Sequence, residues 1–217
     1  MSGAPAPEER GQSLGEEIAN AVSHGAGFVA AVVFSPMIIM HAMRYGAAAI
    51  VGATLFAVTL PLLYLTSTIY HALANNRAKR VFRVLDHGAI YLVIAGTYSP
   101  FMLGALRGPW GYTIFAIIWS LAVFGVVVKS TLGFRWERLS TALYIGMGWL
   151  IVVGIYPLWQ HIPFAGLMWL AAGGLFYTAG VGFYAAERIR YSHFVWHLFV
   201  VGGSGCHVVA VMFYANA

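Results

Sequence analysis

The chain has 217 residues, of which 60% are hydrophobic and 9% charged, with a formal net charge of +5. Soluble domains carry about 25% charged residues, so this composition excludes a water-exposed globular surface, and its hydrophobicity excludes disorder. No soluble domain presents the basic excess as a stripe for nucleic acid, and a single cysteine, Cys206, excludes a disulfide framework and a cysteine-cluster metal site.

Residues 1–21 carry Glu8, Glu9, Glu16 and Glu17 and no apolar run, so they read as a cytoplasmic amino-terminal segment and not as a cleavable signal peptide. Residues 22–217 then form one domain of seven apolar segments, at 22–43, 47–72, 85–106, 110–129, 140–158, 163–185 and 193–214. Short polar breaks separate them, such as Asn75 to Arg80, Lys129 to Arg138 and Glu187 to Ser192. Several runs exceed the roughly 18 residues that suffice to cross a hydrocarbon core. Only helices and closed barrels satisfy their backbone in lipid, and these runs are continuous where barrel strands alternate. The expected fold is therefore an all-α membrane protein of seven transmembrane helices.

The basic residues orient it. Arg10, Arg77, Lys79, Arg80, Arg83, Lys129, Arg135, Arg138, Arg188 and Arg190 all fall on one side, leaving only Arg44 and Arg107 of the 12 on the other. Positive residues stay inside, which predicts a cytoplasmic amino terminus and an external carboxyl terminus, the reverse of a G-protein-coupled receptor. A retinal protein needs a lysine deep in the membrane, and Lys79 and Lys129 sit at loops or helix ends.

Ionisable residues inside membrane helices are costly and mark function when present. The second segment ends with Ser67 and His71, four residues apart on one helical face and about 6 Å apart along the axis. Taken alone, a histidine there reads as a boundary residue touching headgroups. The third segment opens with Asp86 and His87. Asp86 is the one acid within the predicted spans, and its alternative role is an N-cap worth about 1 kcal/mol. His87 is rotated about 100° from it and does not share its face. The seventh segment opens with His193 and His197, an i, i+4 pair that can reach one metal ion, or two packing histidines.

Topology brings these residues together. The ends of the second, third and seventh segments that carry them all lie on the cytoplasmic side, at one membrane depth. Three neutral imidazoles with an open fourth position form the ligand set of a catalytic zinc site. Zinc lowers the pKa of water to about 7 and polarises a carbonyl. Asp86 could then hold water and accept its proton, with Ser67 hydrogen-bonding the water or a developing oxyanion.

Ser67-x-x-x-His71, Leu85-Asp86-His87-Gly88, Gly96-Thr97-Tyr98-Ser99-Pro100 and His193-x-x-x-His197 resemble the motifs of the bacterial hemolysin III family. So does Glu17-Ile18-Ala19-Asn20-x-x-Ser23-His24-Gly25. That family belongs with the progestin and adipoQ receptors, which include the adiponectin receptors, and more distantly with the alkaline ceramidases. The resemblance runs from about Glu16 to His207 and implies seven helices with an inside amino terminus. It further implies a zinc ion on His71, His193 and His197, and Asp86 and Ser67 beside the water. Hydrolysis of lipid amides such as ceramide is the activity it implies, with membrane lipids as partners and a bacterial inner membrane as the location. The short amino terminus lacks the receptors' large cytoplasmic domain, so a hormone-receptor role is not expected.

Glu17, Asn20 and His24 repeat at i, i+3 and i+7, one helical face on the cytoplasmic side. They could hold the zinc histidines in place, as could His87, or the three could form a solvated amphipathic lead-in. His207 lies about 21 Å deeper than His193, too far to share an ion. Gly202, Gly203, Gly205 and Cys206 read as small residues for close helix packing. The first functional expectation is a zinc-dependent intramembrane hydrolase of lipid amides. A non-enzymatic lipid or membrane-state sensor with a structural zinc is the second, and a pore-forming cytolysin the third.

Overall fold

The structure is a computed structural model that describes residues 11–186 and 188–216; Glu8, Glu9, Arg10 and Glu187, used above for the terminus and the orientation, lie outside the described residues. Among the described residues all regular structure is helical. The elements are α1 (Leu14–Ala42), α2 (Ala47–Ala72), α3 (Arg77–Leu103), α4 (Pro109–Leu132), α5 (Glu137–Trp149), α6 (Ile155–His161), α7 (Phe164–Ala185) and α8 (Ser192–Tyr214). A 3₁₀ turn, Met43–Tyr45, extends α1, and a 3₁₀ stretch, Leu150–Gly154, joins α5 and α6 into one irregular rod. Seven rods result.

Six of them, all but α3, are long and apolar enough to cross a membrane. α3 differs because Arg77, Lys79, Arg80 and Arg83 fill its first turns and Asp86, His87, Thr97 and Ser99 follow. It packs against α2 and α4, with Asp86, His87 and Ser99 buried and Arg77 and Arg80 exposed at its start.

Two helices begin eight residues before their apolar runs do, at Leu14 and not at 22, and at Arg77 and not at 85. Caps account for both starts. Ser13 Oγ accepts from the Glu16 N–H at 3.4 Å while Glu16 Oε2 accepts from the Ser13 N–H at 2.9 Å, and Asn76 Oδ1 accepts from the Lys79 N–H at 3.0 Å. Such caps contribute about 1 kcal/mol each and set a helix start that hydropathy cannot register. Two expectations change as a result. Asp86 lies inside α3 and is no N-cap. The face of Glu17, Asn20 and His24 is no solvated lead-in either, since Asn20 and His24 are 0% and 3% exposed.

The fifth apolar segment is broken, which its sequence Leu150-Ile151-Val152-Val153 conceals. Tyr98 of α3 inserts its hydroxyl into the helical ladder: it accepts the Ile151 N–H at 2.7 Å and lies 2.8 and 2.9 Å from the Met147 and Gly148 carbonyl oxygens. A side chain intruding on the i to i−4 pattern is a recognised cause of helix interruption.

Small residues set the packing. Ala31 and Ala42 of α1 and Ala49 and Ala53 of α2 are buried in the core. A Cβ on Gly203 of α8 would lie 3.1 Å from the Gly173 carbonyl of α7, so those backbones approach as expected. Gly205, grouped with it in the sequence reading, faces open space instead. Large apolar side chains such as Val58, Phe124, Val152 and Phe213 are exposed, the outer surface of a chain solvated by lipid.

Candidate metal centre

His71 stands in the last turn of α2, and His193 and His197 in the first two turns of α8. The i, i+4 spacing points both α8 imidazoles the same way, toward the end of α2. Each of the three histidines offers a ligand atom, and these atoms all lie within 4.8 Å of one another. His71 and His197 are buried and His193 is half-buried.

The residues around them fit a cation. His71 Nδ1–H donates to Glu17 Oε2 at 2.7 Å, and His197 Nδ1–H donates to the Asn20 carbonyl at 3.2 Å. Committing Nδ1 as donor fixes the tautomer and leaves the Nε2 lone pair free. The His71 Nε2 is buried and makes no hydrogen bond among the described residues. A buried nitrogen without a partner is costly unless something of opposite character fills the space. Three neutral nitrogens gathered this way form an N₃ set, the donor type that suits zinc and similar transition metals.

α1 supplies the supporting layer. Glu17 accepts from His71 with Oε2 and from Lys79 Nζ with Oε1 at 2.8 Å, so one carboxylate ties α1, α2 and α3 together. Asn20 Nδ2 donates to Gln12 at 2.7 Å and lies 3.5 Å from His71 Nδ1. Ser23 Oγ lies 3.3 Å from His197 Nδ1 and donates to the Asn20 carbonyl at 2.9 Å. His24 stacks on His197, with ring centroids 3.5 Å apart and planes 7° from parallel, and shares a 2.7 Å hydrogen bond with Ser67 Oγ.

Ser67 and Asp86 are both buried and line one cavity with His24, His193 and His197. Asp86 contributes no atom to the 4.8 Å group of ligand atoms, which leaves its carboxyl beside the centre. The cavity, of about 250 Å³, continues between α3, α5, α7 and α8 past Ile94, Leu170 and Val200. Its wall is apolar there, and His207 reaches it at depth with Nε2 3.3 Å from the Leu170 carbonyl.

Of the candidates read from sequence, His87 is the one set apart. It borders the cavity, but its Nδ1 donates to the Arg83 carbonyl at 2.9 Å and its ring packs against Phe134. The Nδ1 bond stays within α3, and the ring contact reaches Phe134 of the α4–α5 connection. The sequence reading gave no role to Ser23, Lys79 or Tyr98, although Ser23 and Tyr98 stand in the motifs quoted above. Ser23 shares the turn of Asn20 and His24, which was a usable signal; Lys79 looked like one more orienting charge.

A family model described as haemolysin-III related matches residues 12–208. The chain is 45% identical over 204 residues to "Hemolysin-3" of Bacillus cereus, covering 94% of this chain and 93% of the relative. It is 42% identical over 203 residues to "Hemolysin-3 homolog" of Bacillus subtilis, covering 93% and 95%. Human "Monocyte to macrophage differentiation factor" is 26% identical over 205 residues, covering 92% and 84%.

Proposed function

The chain belongs to the haemolysin-III related family of integral membrane proteins, relatives of the progestin and adipoQ receptors, and from that premise we propose that it is a zinc-dependent intramembrane hydrolase of lipid amides. The observation that carries the reading is the histidine cluster opening directly into an apolar cavity. A polar reactive centre at one end of a greasy slot fits an amphiphile with its acyl carbonyl at the cluster and its hydrocarbon in the slot.

His71, His193 and His197 hold the ion, with Glu17 and the Asn20 carbonyl orienting two of them. Bound zinc supplies Lewis-acid chemistry, polarising an acyl carbonyl and acidifying water. Asp86 accepts the proton from the attacking water and passes it to the leaving amine, the general base and then general acid of the cycle. Ser67 is held by His24 so that its hydroxyl serves the oxygen on which charge develops. Apolar walls keep bulk water from the centre and strengthen each of these interactions.

In this reading all seven rods span the membrane, α3 included. The amino terminus and the metal centre lie at the cytoplasmic face of a bacterial inner membrane, as the basic residues in the first turns of α3, around the α4–α5 connection and in the α7–α8 connection favour. The substrate enters from the adjacent leaflet.

Incubation of the purified chain with acyl-labelled ceramides tests the activity. Release of free fatty acid that stops on chelation is the expected result, and no release from zinc-loaded protein counts against it. The tie from Glu17 to both His71 and Lys79 also favours a second reading, in which zinc braces the helices of a membrane-state sensor without turnover. The same assay separates the two.

A further inference from the structure

The turn before α8 holds the one non-glycine residue with positive φ among the described residues: Tyr191, at φ 59° and ψ 10°. Left-handed backbone is uncommon for a bulky residue and persists only where its surroundings enforce it. Glu16 does so here. Its Oε1 accepts the Tyr191 N–H at 2.8 Å, and its Oε2 accepts the Ser13 N–H at 2.9 Å and the Ser13 hydroxyl at 2.8 Å. Glu16 is 3% exposed, and three donors on one carboxylate are what such burial requires.

The side chain of Tyr191 is held as well. Its hydroxyl lies 2.9 Å from where a Cβ on Gly15 would stand, so the phenol rests across the first turn of α1. The Val195 N–H then donates to the Tyr191 carbonyl at 3.0 Å, and α8 begins at the next residue, Ser192. Each helical residue turns the chain by about 100°, so the point where α8 starts decides which way His193 and His197 face. The first turns of α1 thus address both halves of the centre: Glu17 and Asn20 by contact with the ligands, Glu16 through Tyr191.

We propose that Glu16 is a positioning residue for the metal centre, clamping Tyr191 in the left-handed conformation and thereby setting α8 so that His193 and His197 face His71. The inference rests on the metal-binding part of the reading above and not on turnover.

Cobalt titration of the full chain in detergent tests it, read by affinity and by the visible d–d band of the bound ion. E16A is expected to bind Co²⁺ about 10–100-fold more weakly and with an altered band. Y191G should bind close to wild type, because glycine enters the left-handed region unaided, and E16A/Y191G should recover most of the loss. Y191V leaves Glu16 intact, but β-branching disfavours that backbone, so it should weaken binding even if E16A does not fold. Wild-type affinity and band in E16A or in Y191V overturn the inference. So does a folded E16A whose loss the glycine fails to restore. A wild-type chain that takes up no cobalt overturns the metal reading itself, whereas unchanged uptake in E16A removes only Glu16.

Discussion

Glu17 and His71 are 54 residues apart in the chain, and the Glu17 carboxylate accepts a 2.7 Å hydrogen bond from the His71 Nδ1–H. The bond turns the other ring nitrogen of His71 toward His193 and His197 and raises its basicity. Lys79, 2.8 Å from the second Glu17 oxygen, keeps that carboxylate in place without competing for the histidine.

Removing this support should weaken the centre without abolishing it. Glu17→Ala is expected to cost about 10–100-fold in metal affinity, with Glu17→Gln losing less because one acceptor oxygen remains. Competition against a chelator of known strength measures both.

Asp86 stands apart from the ligand atoms, so metal binding and turnover should separate on its removal. Asp86→Ala is expected to keep its zinc and to lose about 10²–10⁴-fold in fatty-acid release. Unchanged release from the zinc-loaded variant would remove Asp86 from the chemistry.

The cavity wall should set the acyl chain that is accepted. Ile94 and Leu170 line it away from His71, His193 and His197, and a tryptophan at either position fills the space that the far end of a long chain needs. Ile94→Trp and Leu170→Trp should shift release toward short-chain amides in a mixed-chain assay. An unaltered chain-length profile would place the hydrocarbon elsewhere.

Tyr98 holds the break between α5 and α6. Tyr98→Phe leaves the partly buried Ile151 N–H without its acceptor, a change worth about 1 kcal/mol. A lower midpoint of thermal unfolding in detergent is the expected reading, and an unchanged midpoint would mean the 3₁₀ stretch forms without the hydroxyl.

Much of this architecture was legible in the sequence, for identifiable reasons. Hydropathy located the rods because lipid imposes length and continuity on every helix that crosses it. Topology then put His71, Asp86, His193 and His197 at one end, since the i, i+4 spacing and alternating direction of helices need no coordinates. The beginnings of α1 and α3 were not legible, because Ser13 and Asn76 determine them from within polar sequence. Nor was the break at Leu150, whose cause is a tyrosine 52 residues away. Glu16 and Glu17 show the limit most clearly. They are adjacent acids of one terminus, yet one reaches Tyr191 and the other His71, a distinction that only the packing of α1 against α2 and α8 creates.

Zinc content, measured per chain by mass spectrometry of the purified metal-loaded protein, tests most directly whether His71, His193 and His197 together hold one ion. About one zinc per chain is predicted for the wild type, as for a single three-histidine site, and almost none for His197→Ala. Full zinc retention in folded His197→Ala would contradict the assignment.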